Sequence, residues 1–426
     1  MKQRVLVLGN GGREDAMVNR LVREGHKVYA IPGNAGTKKI GINVPIDLAN
    51  LDELARFARN NVHVTIVGPE TILNQGIVDR FKHERIPIFG PGKFATQLEA
   101  DKLFGKLFME EYGIPTAEYE MFQGYEDAME YVRKNNLKKG VVKANGLASG
   151  KGVFVCKTRR EIESALYRIM VKQEFGCAGN IVLIEKLLSG RELSLMVFYD
   201  GRTFKMFPLI QDHKRAHDND KGPNTGGMGA IGPLTWVSDD LFKRIKQEIV
   251  IPTMQGLKDR NMPYAGCLYF GLMMTKKGPM VLEYNVRLGD PEAQVAMALL
   301  GTSFLKIVEV CIAGKLSEVE IDWKKKYAVC LVLASEGYPA KVKDAKKEKI
   351  IISGIEEAEK ISGVYVNHSG TERLNDLYTF KGKRVLSVTA IADTKEEARA
   401  LAYRAAKLIK FDGKWCREDI GIESSW

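Results

Sequence analysis

Short apolar runs alternate with amphipathic stretches through the first hundred positions. Arg4-Val5-Leu6-Val7-Leu8 ends in Gly9-Asn10-Gly11-Gly12, and Glu14 to Arg23 repeats its apolar positions at helical spacing until Gly25. Lys27 to Ile31 reads as a second strand closing in Pro32-Gly33. A helix from Asp52 to Asn60 leads to the strand Val62 to Val67, which closes in Gly68-Pro69-Glu70, and Ile86 to Phe89 ends the series. Short buried strands alternating with helices predict a parallel, doubly wound sheet.

Such sheets bind ligands at the carboxyl ends of their strands. Those ends carry GNGGRE, PGNAGT and VGPE, three polar glycine-bearing loops that the topology brings to one edge. The first loop is a poor dinucleotide fingerprint. Its third glycine position is Glu14, and the second strand ends in Pro32-Gly33 rather than in an acid that would hold a ribose. A small phosphate-bearing ligand at a helix N-terminus, where N–H groups and the macrodipole favour an anion, is the better expectation.

The middle of the chain turns to hairpins. Gly140 to Ala144 and Val153 to Cys156 read as strands joined by Asn145-Gly146-Leu147-Ala148-Ser149-Gly150-Lys151-Gly152. This is not a Walker loop, which needs another glycine spacing, Ser or Thr after its lysine, and a following helix. A glycine-rich hairpin with Lys143 and Lys151 at its ends suits a lid over a polyphosphate. Thr158 and Glu161 make a capping box for the next helix. The strand Ile181 to Glu185 follows, with Glu192 seven residues beyond its acidic end.

Pro279 to Asn285 reads as a strand, so Glu283 and Asn285 share a face. A carboxylate beside a carboxamide oxygen suits Mg2+, which takes few protein ligands and shares the rest with phosphates and water. Arg287, Asp290 and Glu292 follow in the polar turn NVRLGDPE. Gln211 to Gly229 reads as a loop without secondary structure, longer than the ~12–15 residues beyond which such loops are usually functional. His213 and His217 lack the Glu of a zinc-protease motif and read as loop histidines, leaving Lys214 and Arg215 to meet an anion. Tyr327 to Ala334, Arg384 to Ala392 and a helix capped by Thr394 and Glu397, with apolar Ala398, Leu401, Ala402, Ala405 and Leu408, predict a last α+β packing region without chemistry of its own.

Composition narrows the class. The chain has 426 residues, 45% of them hydrophobic, which is ordinary globular composition and suggests about three domains. No apolar run approaches the ~18 residues of a membrane span, and no signal peptide is expected. Six cysteines far apart with no CxxC pair argue against a zinc site or disulfide framework and fit a reducing, cytoplasmic setting. The formal charge of +11 asks for an anionic partner, nucleic acid or phosphorylated small molecules. The lysine-dense stretch from Lys324 to Lys349 has few aromatics and reads as surface.

The motifs GNGGRE, PGNAGT, VGPE, KANGLASGKGV, QDHKR with GPNTGGMGA, LEYNVRLGDPE and CREDIG run along the whole chain in an order and spacing that resemble the phosphoribosylamine–glycine ligases, ATP-grasp enzymes of purine synthesis. The resemblance implies a multidomain α/β and α+β fold. A Rossmann-like parallel sheet would span 1–103, an ATP-grasp core 104–120 and 190–325, an inserted lid 121–189, and a C-terminal α+β domain 326–426. It also implies ATP-dependent joining of glycine to 5-phosphoribosylamine through a glycyl phosphate, with ATP and Mg2+ (or Mn2+) as cofactors. The implied protein is cytoplasmic, a monomer or weak homodimer, with no nucleic-acid or membrane partner.

By the same resemblance, Lys102, Lys143, Gly146, Ser149, Gly150, Lys151 and Gly152 contact ATP, Glu185, Leu187 and Leu188 form the adenine-side hinge, and Glu192 holds the ribose. Glu283 and Asn285 hold the metal. Arg287, Asp212 and Lys214 serve catalysis. Gly11, Gly12, Arg13, Glu14, Asn34, Gly36, Pro69, Glu70, Asn224, Thr225, Gly226 and Asp290 bind the other substrates. Four positions depart from the family: Asp15 for His, Asn145 for Asp, Asp101 for Ser, and Gly382-Lys383-Arg384 for Gly-Gly-Arg. Asp15 would repel a phosphate if it faced one. Asp15 and Asn145 also admit a second expectation, an ATP-grasp carboxylate–amine ligase with an altered amino-acid or amine substrate.

Overall fold

A computed structural model describes residues 2–148, 151–340, 350–380 and 383–422; Ser149, Gly150 and Gly382 lie outside the described residues. The N-terminal strands form a parallel array in the order Ile88–Pro91, Val64–Val67, Arg4–Gly9, Lys27–Pro32, Ile42–Asn43. Alternation along a strand sends successive side chains to opposite faces. Leu6 and Leu8 accordingly enter one hydrophobic core while Val5 and Val7 enter another, all four fully buried. Both faces are covered, which is why the run is continuously apolar.

This array does not end at its edge. Ile88–Pro91 pairs antiparallel with Tyr264–Thr275 through Tyr264↔Pro91 and Ala265↔Gly90. From there the sheet continues into Arg191–Tyr199 and Phe204–Met206, with Gly278–Asn285 as a further partner of Tyr264–Thr275, nine strands in all. A register shift at Gly271/Leu272 leaves Leu282 as an extra residue in its strand. Such a bulge re-aims side chains. Val281 and Tyr284, three apart, are both buried, and Glu283 and Asn285 project from the other side as the alternation predicts.

Residues 119–185 make a separate sheet in the antiparallel order Tyr119–Phe122, Val182–Glu185, Gly140–Ala144, Val153–Cys156. It has its own core, in which Val142 and Val182 meet Val132 and Ile162 of two flanking helices. The predicted capping box at Thr158 is present. Gln211 to Gly229 differs from its expectation. It contains the strands Gln211–Asp212, Arg215–His217 and Lys221–Asn224 and runs into Gly229–Gly232. Gln211–Asp212 and Gly229–Gly232 add to Tyr327–Ala334, Arg384–Ala392 and Val364–His368 in a five-stranded sheet. The helix Lys395–Leu408 lays Ala398, Ala402 and Ala405 on that sheet, while Leu408 is exposed. The six cysteines are free thiols, and no helix among the described residues is long and apolar enough to cross a membrane.

Candidate active site

The bulged strand carries Glu283 into a group of cations drawn from three separate elements. Lys214 Nζ lies 3.3 Å from Glu283 Oε1 and 3.9 Å from Glu192. Burial alone would raise the carboxyl pKa, but Lys214, Lys143 and Lys102 outweigh it and hold Glu283 at about 2. Glu283 is therefore ionised at any working pH. Burial likewise disfavours the Lys214 cation, yet Glu283, Tyr269 and Glu192 raise its pKa well above the ordinary range. Glu192 itself is exposed.

The lid reaches this group through Lys143. Its Nζ donates to Leu282 O at 3.0 Å and sits 2.8 Å from Glu185 Oε1. Glu185 is 3% exposed, so its carboxylate faces inward and lies between two lysines. The second is Lys106, which sequence reasoning missed. It is 2% exposed, 3.3 Å from Glu185 Oε2, and donates to Thr116 Oγ1 at 2.8 Å and Ala117 O at 3.0 Å. Burial pushes its pKa down to about 8 against the pull of Glu185. Its place four residues after Lys102 on one helix puts the two on a shared face, but a lysine there reads as solvated surface until Glu185 buries it. Lys102 Nζ donates to Gly146 O at 3.0 Å. Asn145 Oδ1 accepts from Leu103 N–H at 2.7 Å, tying the lid hairpin to the start of the helix Lys102–Glu111. This departure from the family keeps an acceptor at a helix N-terminus and faces no open space. Leu187 and Leu188 are half-buried, Lys151 is exposed, and Gly152 O accepts from Ala144 N–H at 2.8 Å.

Arg287 joins the N-terminal region to the strand that ends at Asn285. Its guanidinium is 3.2 Å from Glu70, 2.8 Å from Glu99 and 2.9 Å from Asn285 Oδ1. Burial raises Glu99 to about 7 despite Arg287, whereas Glu70, though burial opposes its charge, is held below its ordinary value by Arg287 and Arg13. Asp212, beside Lys214 in a narrow pocket with Ser194 and Glu192, is raised by burial and by the nearby Glu292. Ser194 Oγ donates to Glu292 Oε1 at 2.9 Å and shares a 2.8 Å bond with Tyr269. The C-terminal region enters through Arg384, which donates to Gly226 O at 2.6 Å and Asp290 O at 2.7 Å and pairs with the Asp290 carboxylate at 3.3 Å. The C-terminal region therefore packs against the turn that holds Gly226 and Asp290. Thr225 Oγ1 bonds Lys214 O and Gly227 N–H, and Asn224 pairs with Arg215, so these residues shape the turn. Arg215 ties its own hairpin by donating to Gly222 O.

At the N-terminal loops several side chains turn inward. Glu14 accepts from Gly11 N–H and Arg13 Nε, each at 2.7 Å, and Arg13 Nη1 donates to Leu288 O at 2.8 Å. A Cβ on Gly68 would lie 2.0 Å from Glu14 Oε1, so that position must be glycine. Asn34 Oδ1 caps the helix Ala35–Ile40 and its Nδ2 donates to Asn10 O and His368 O. The polar side-chain atoms of Glu14 and Asn34 are thus engaged within the loops that carry the expected substrate site. Pro69 packs against Gly9. Asp15 is fully buried, and burial raises it to about 7.

The oxygen donors Glu283 and Asn285, side by side and next to cations that suit phosphates, fit a hard divalent cation shared with a nucleotide. No group of three or more His, Cys, Asp or Glu among the described residues is arranged to hold a metal ion by itself.

Sequence models of the Phosphoribosylglycinamide synthetase family match the chain in order: the N domain at residues 3–99, the ATP-grasp (A) domain at 100–293 and the C domain at 328–423. A phosphoribosylamine–glycine ligase of Rhodopirellula baltica is 42% identical over 428 residues, covering 98% of this chain and 97% of its own. One from Caldanaerobacter subterraneus is 40% identical over 420 residues, covering 98% and 99%. The crystal structure of phosphoribosylamine–glycine ligase from Thermotoga maritima superposes with a TM-score of 0.83 at 35% identity, covering 98% and 99%. A biotin carboxylase from Campylobacter jejuni shares the fold, with a TM-score of 0.71 at 15% identity, covering 97% and 93%.

Proposed function

The chain belongs to the phosphoribosylglycinamide synthetase family, and from that premise we propose how its site joins glycine to 5-phosphoribosylamine. It is an ATP-dependent carboxylate–amine ligase of purine biosynthesis. The observation that supports the site assignment best is Glu283, ionised and facing Lys102, Lys143 and Lys214 where lid and core meet.

A carboxylate is a poor acyl donor because its leaving group would be oxide. Transfer of the γ-phosphoryl group of ATP to a glycine carboxylate oxygen gives glycyl phosphate and ADP. The sugar amine then attacks the carbonyl carbon, the C–O bond to phosphate breaks, and the amine proton leaves to solvent or product phosphate. Little covalent chemistry is asked of the protein; positioning and charge neutralisation carry the rate. Lys143, held by Glu185, and Lys102, held by the lid backbone, stand ready for the triphosphate, with Gly146, Lys151 and Gly152 beside it. Leu187 and Leu188 line the adenine side and Glu192 the ribose. Glu283 and Asn285 would hold Mg2+, which supplies neutralisation of the phosphate charge. Lys214, Arg287 and Asp212 surround the reacting carboxylate, with Asn224, Thr225, Gly226 and Asp290 shaping its wall. Gly11, Gly12, Arg13, Gly36, Pro69 and Glu70 form the sugar-phosphate side.

A panel of amino acids against a panel of amines, read as ADP release, tests this. Glycine with phosphoribosylamine is the best pair if the reading holds; a different best pair refutes it.

A further inference from the structure

Groups from three parts of the chain converge on the start of the helix Gly12–Arg23. A Cβ on Gly12 would lie 2.6 Å from Gln294 Nε2, 2.7 Å from Ser369 Oγ and 3.4 Å from Asp290 Oδ1. Gln294 is 2% exposed, and its Oε1 finds no hydrogen-bond partner among the described residues, although its Nε2 donates to Asp290 Oδ1 at 2.8 Å. The Asp290 carboxylate is balanced by Arg384. At this helix start the Arg13 N–H already bonds the Asp290 carboxylate, and the buried unsatisfied acceptor of Gln294 nearby suits a sugar hydroxyl.

Ser369 is held there by a contact between the N-terminal and C-terminal regions. Asn367 Nδ2 donates to Asp15 Oδ1 at 3.1 Å, and the His368 backbone N–H stabilises the same carboxylate. Asn34 Nδ2 donates to His368 O at 2.8 Å, and His368 Nδ1 bonds Thr371 Oγ1 at 2.9 Å. A Cβ on Gly36 would lie 2.3 Å from Asp15 Oδ2 and 2.5 Å from the His368 ring, so the approach admits only glycine. The other charged groups around Asp15 are engaged elsewhere. Glu14 bonds Gly11 and Arg13, and Glu359 pairs with Lys39 at 2.7 Å. The His368 ring packs on Tyr378. With no cation against it and Oδ2 buried without a partner, Asp15 suits the fold as a neutral acid rather than as a charge that would repel phosphate.

We propose that Asp15, Asn367 and the His368 backbone form a clasp that seats the turn His368–Thr371 over the start of the helix Gly12–Arg23, so that Ser369 Oγ and Gln294 complete the site for the phosphorylated sugar end of the amine substrate. This rests on the function proposed above. Asp15 is a positioning residue, and the departure from the family's His leaves the substrate class as it is.

Asp15→Ala, Asp15→Asn and Ser369→Ala test it, assayed by ADP release with phosphoribosylamine formed in the assay from ribose 5-phosphate and ammonia. Asp15→Ala and Ser369→Ala raise the apparent KM for the sugar about tenfold, leave the KM for ATP and glycine within about twofold, and Asp15→Asn recovers most of the loss. An unaltered sugar KM in both, an equal rise for all three substrates, or an Asp15→Asn variant as impaired as Asp15→Ala overturns the proposal. If Asp15→Ala fails to fold, Ser369→Ala and Asp15→Asn decide the matter by the same changes in KM. Calorimetric binding of ribose 5-phosphate separates this from the function itself. Affinity about tenfold weaker in Ser369→Ala supports the subsite even if wild type shows no turnover, and equal affinity overturns it.

Discussion

Glu283 is the residue around which the site is built. Lysines from the lid, the helix Lys102–Glu111 and the hairpin at Lys214 hold it ionised, so removing it leaves three cations facing one another. Glu283→Gln is expected to lower kcat about a thousandfold while leaving the fold intact, and titration of activity with Mg2+ checks it: the residual activity should need far more metal. Asp15 makes a prediction in pH. Its pKa rises from an ordinary 3.8 to about 7 on folding. The neutral form is the one the fold accommodates, so its stabilisation is complete below about pH 3.8, erodes as pH rises to about 7, and is flat above. Asp15→Asn should therefore gain on wild type across that window, by up to about 4 kcal/mol, seen as diverging unfolding midpoints; parallel midpoints from pH 4 to pH 8 contradict it. At this scale the sequence is legible where a residue's partner is its own strand. Glu283 and Asn285 share a face because a strand alternates, and the bulge at Leu282 keeps that true. Lys106 and Glu99 are not legible, because a lysine or glutamate on a helix reads as solvated surface until another element buries it. Asp15 is legible as an oddity and not as a clasp, since Asn367 lies at the far end of the chain.

Among the elements, the helix Lys102–Glu111 and the strand Val182–Glu185 carry the lid's connection to the core. Lys106 and Glu185 meet with side chains 3% exposed each. Breaking a buried pair strands the remaining charge, so Lys106→Ala should cost about 3 kcal/mol, read as a lower denaturant midpoint at unchanged slope. Lys143 still pairs with Glu185, so complete loss of the lid fold would contradict this reading. Asn145→Ala removes an acceptor from a helix start and should cost about 1 kcal/mol. Long periodic elements declare themselves by pattern, as the strand at Val5 to Leu8, the helix at Thr394 and the lid strands do. The strands within Gln211 to Gly229 do not. They are two to four residues long, too short to show alternation, and two of the strands in this region are fixed by a sheet whose other strands begin at Tyr327.

On the scale of the whole molecule, the N-terminal array and the ATP-grasp strands are one continuous sheet, joined where Tyr264 and Ala265 meet Pro91 and Gly90. The sheet of residues 119–185 has a core of its own. The C-terminal sheet borrows strands from the 211–232 segment, and Arg384 fastens it to Gly226 and Asp290. None of these joins can be read from periodicity, because each depends on edges meeting at distant places in the chain. Together they bring three regions to the site proposed above for activating the glycine carboxylate. Glycine labelled with ¹⁸O in its carboxylate tests that claim most directly, with ATP, Mg2+ and phosphoribosylamine supplied together. Each inorganic phosphate released should carry one ¹⁸O from glycine, and omitting glycine should stop the release. Phosphate free of label, formed at the same rate without glycine, would contradict it.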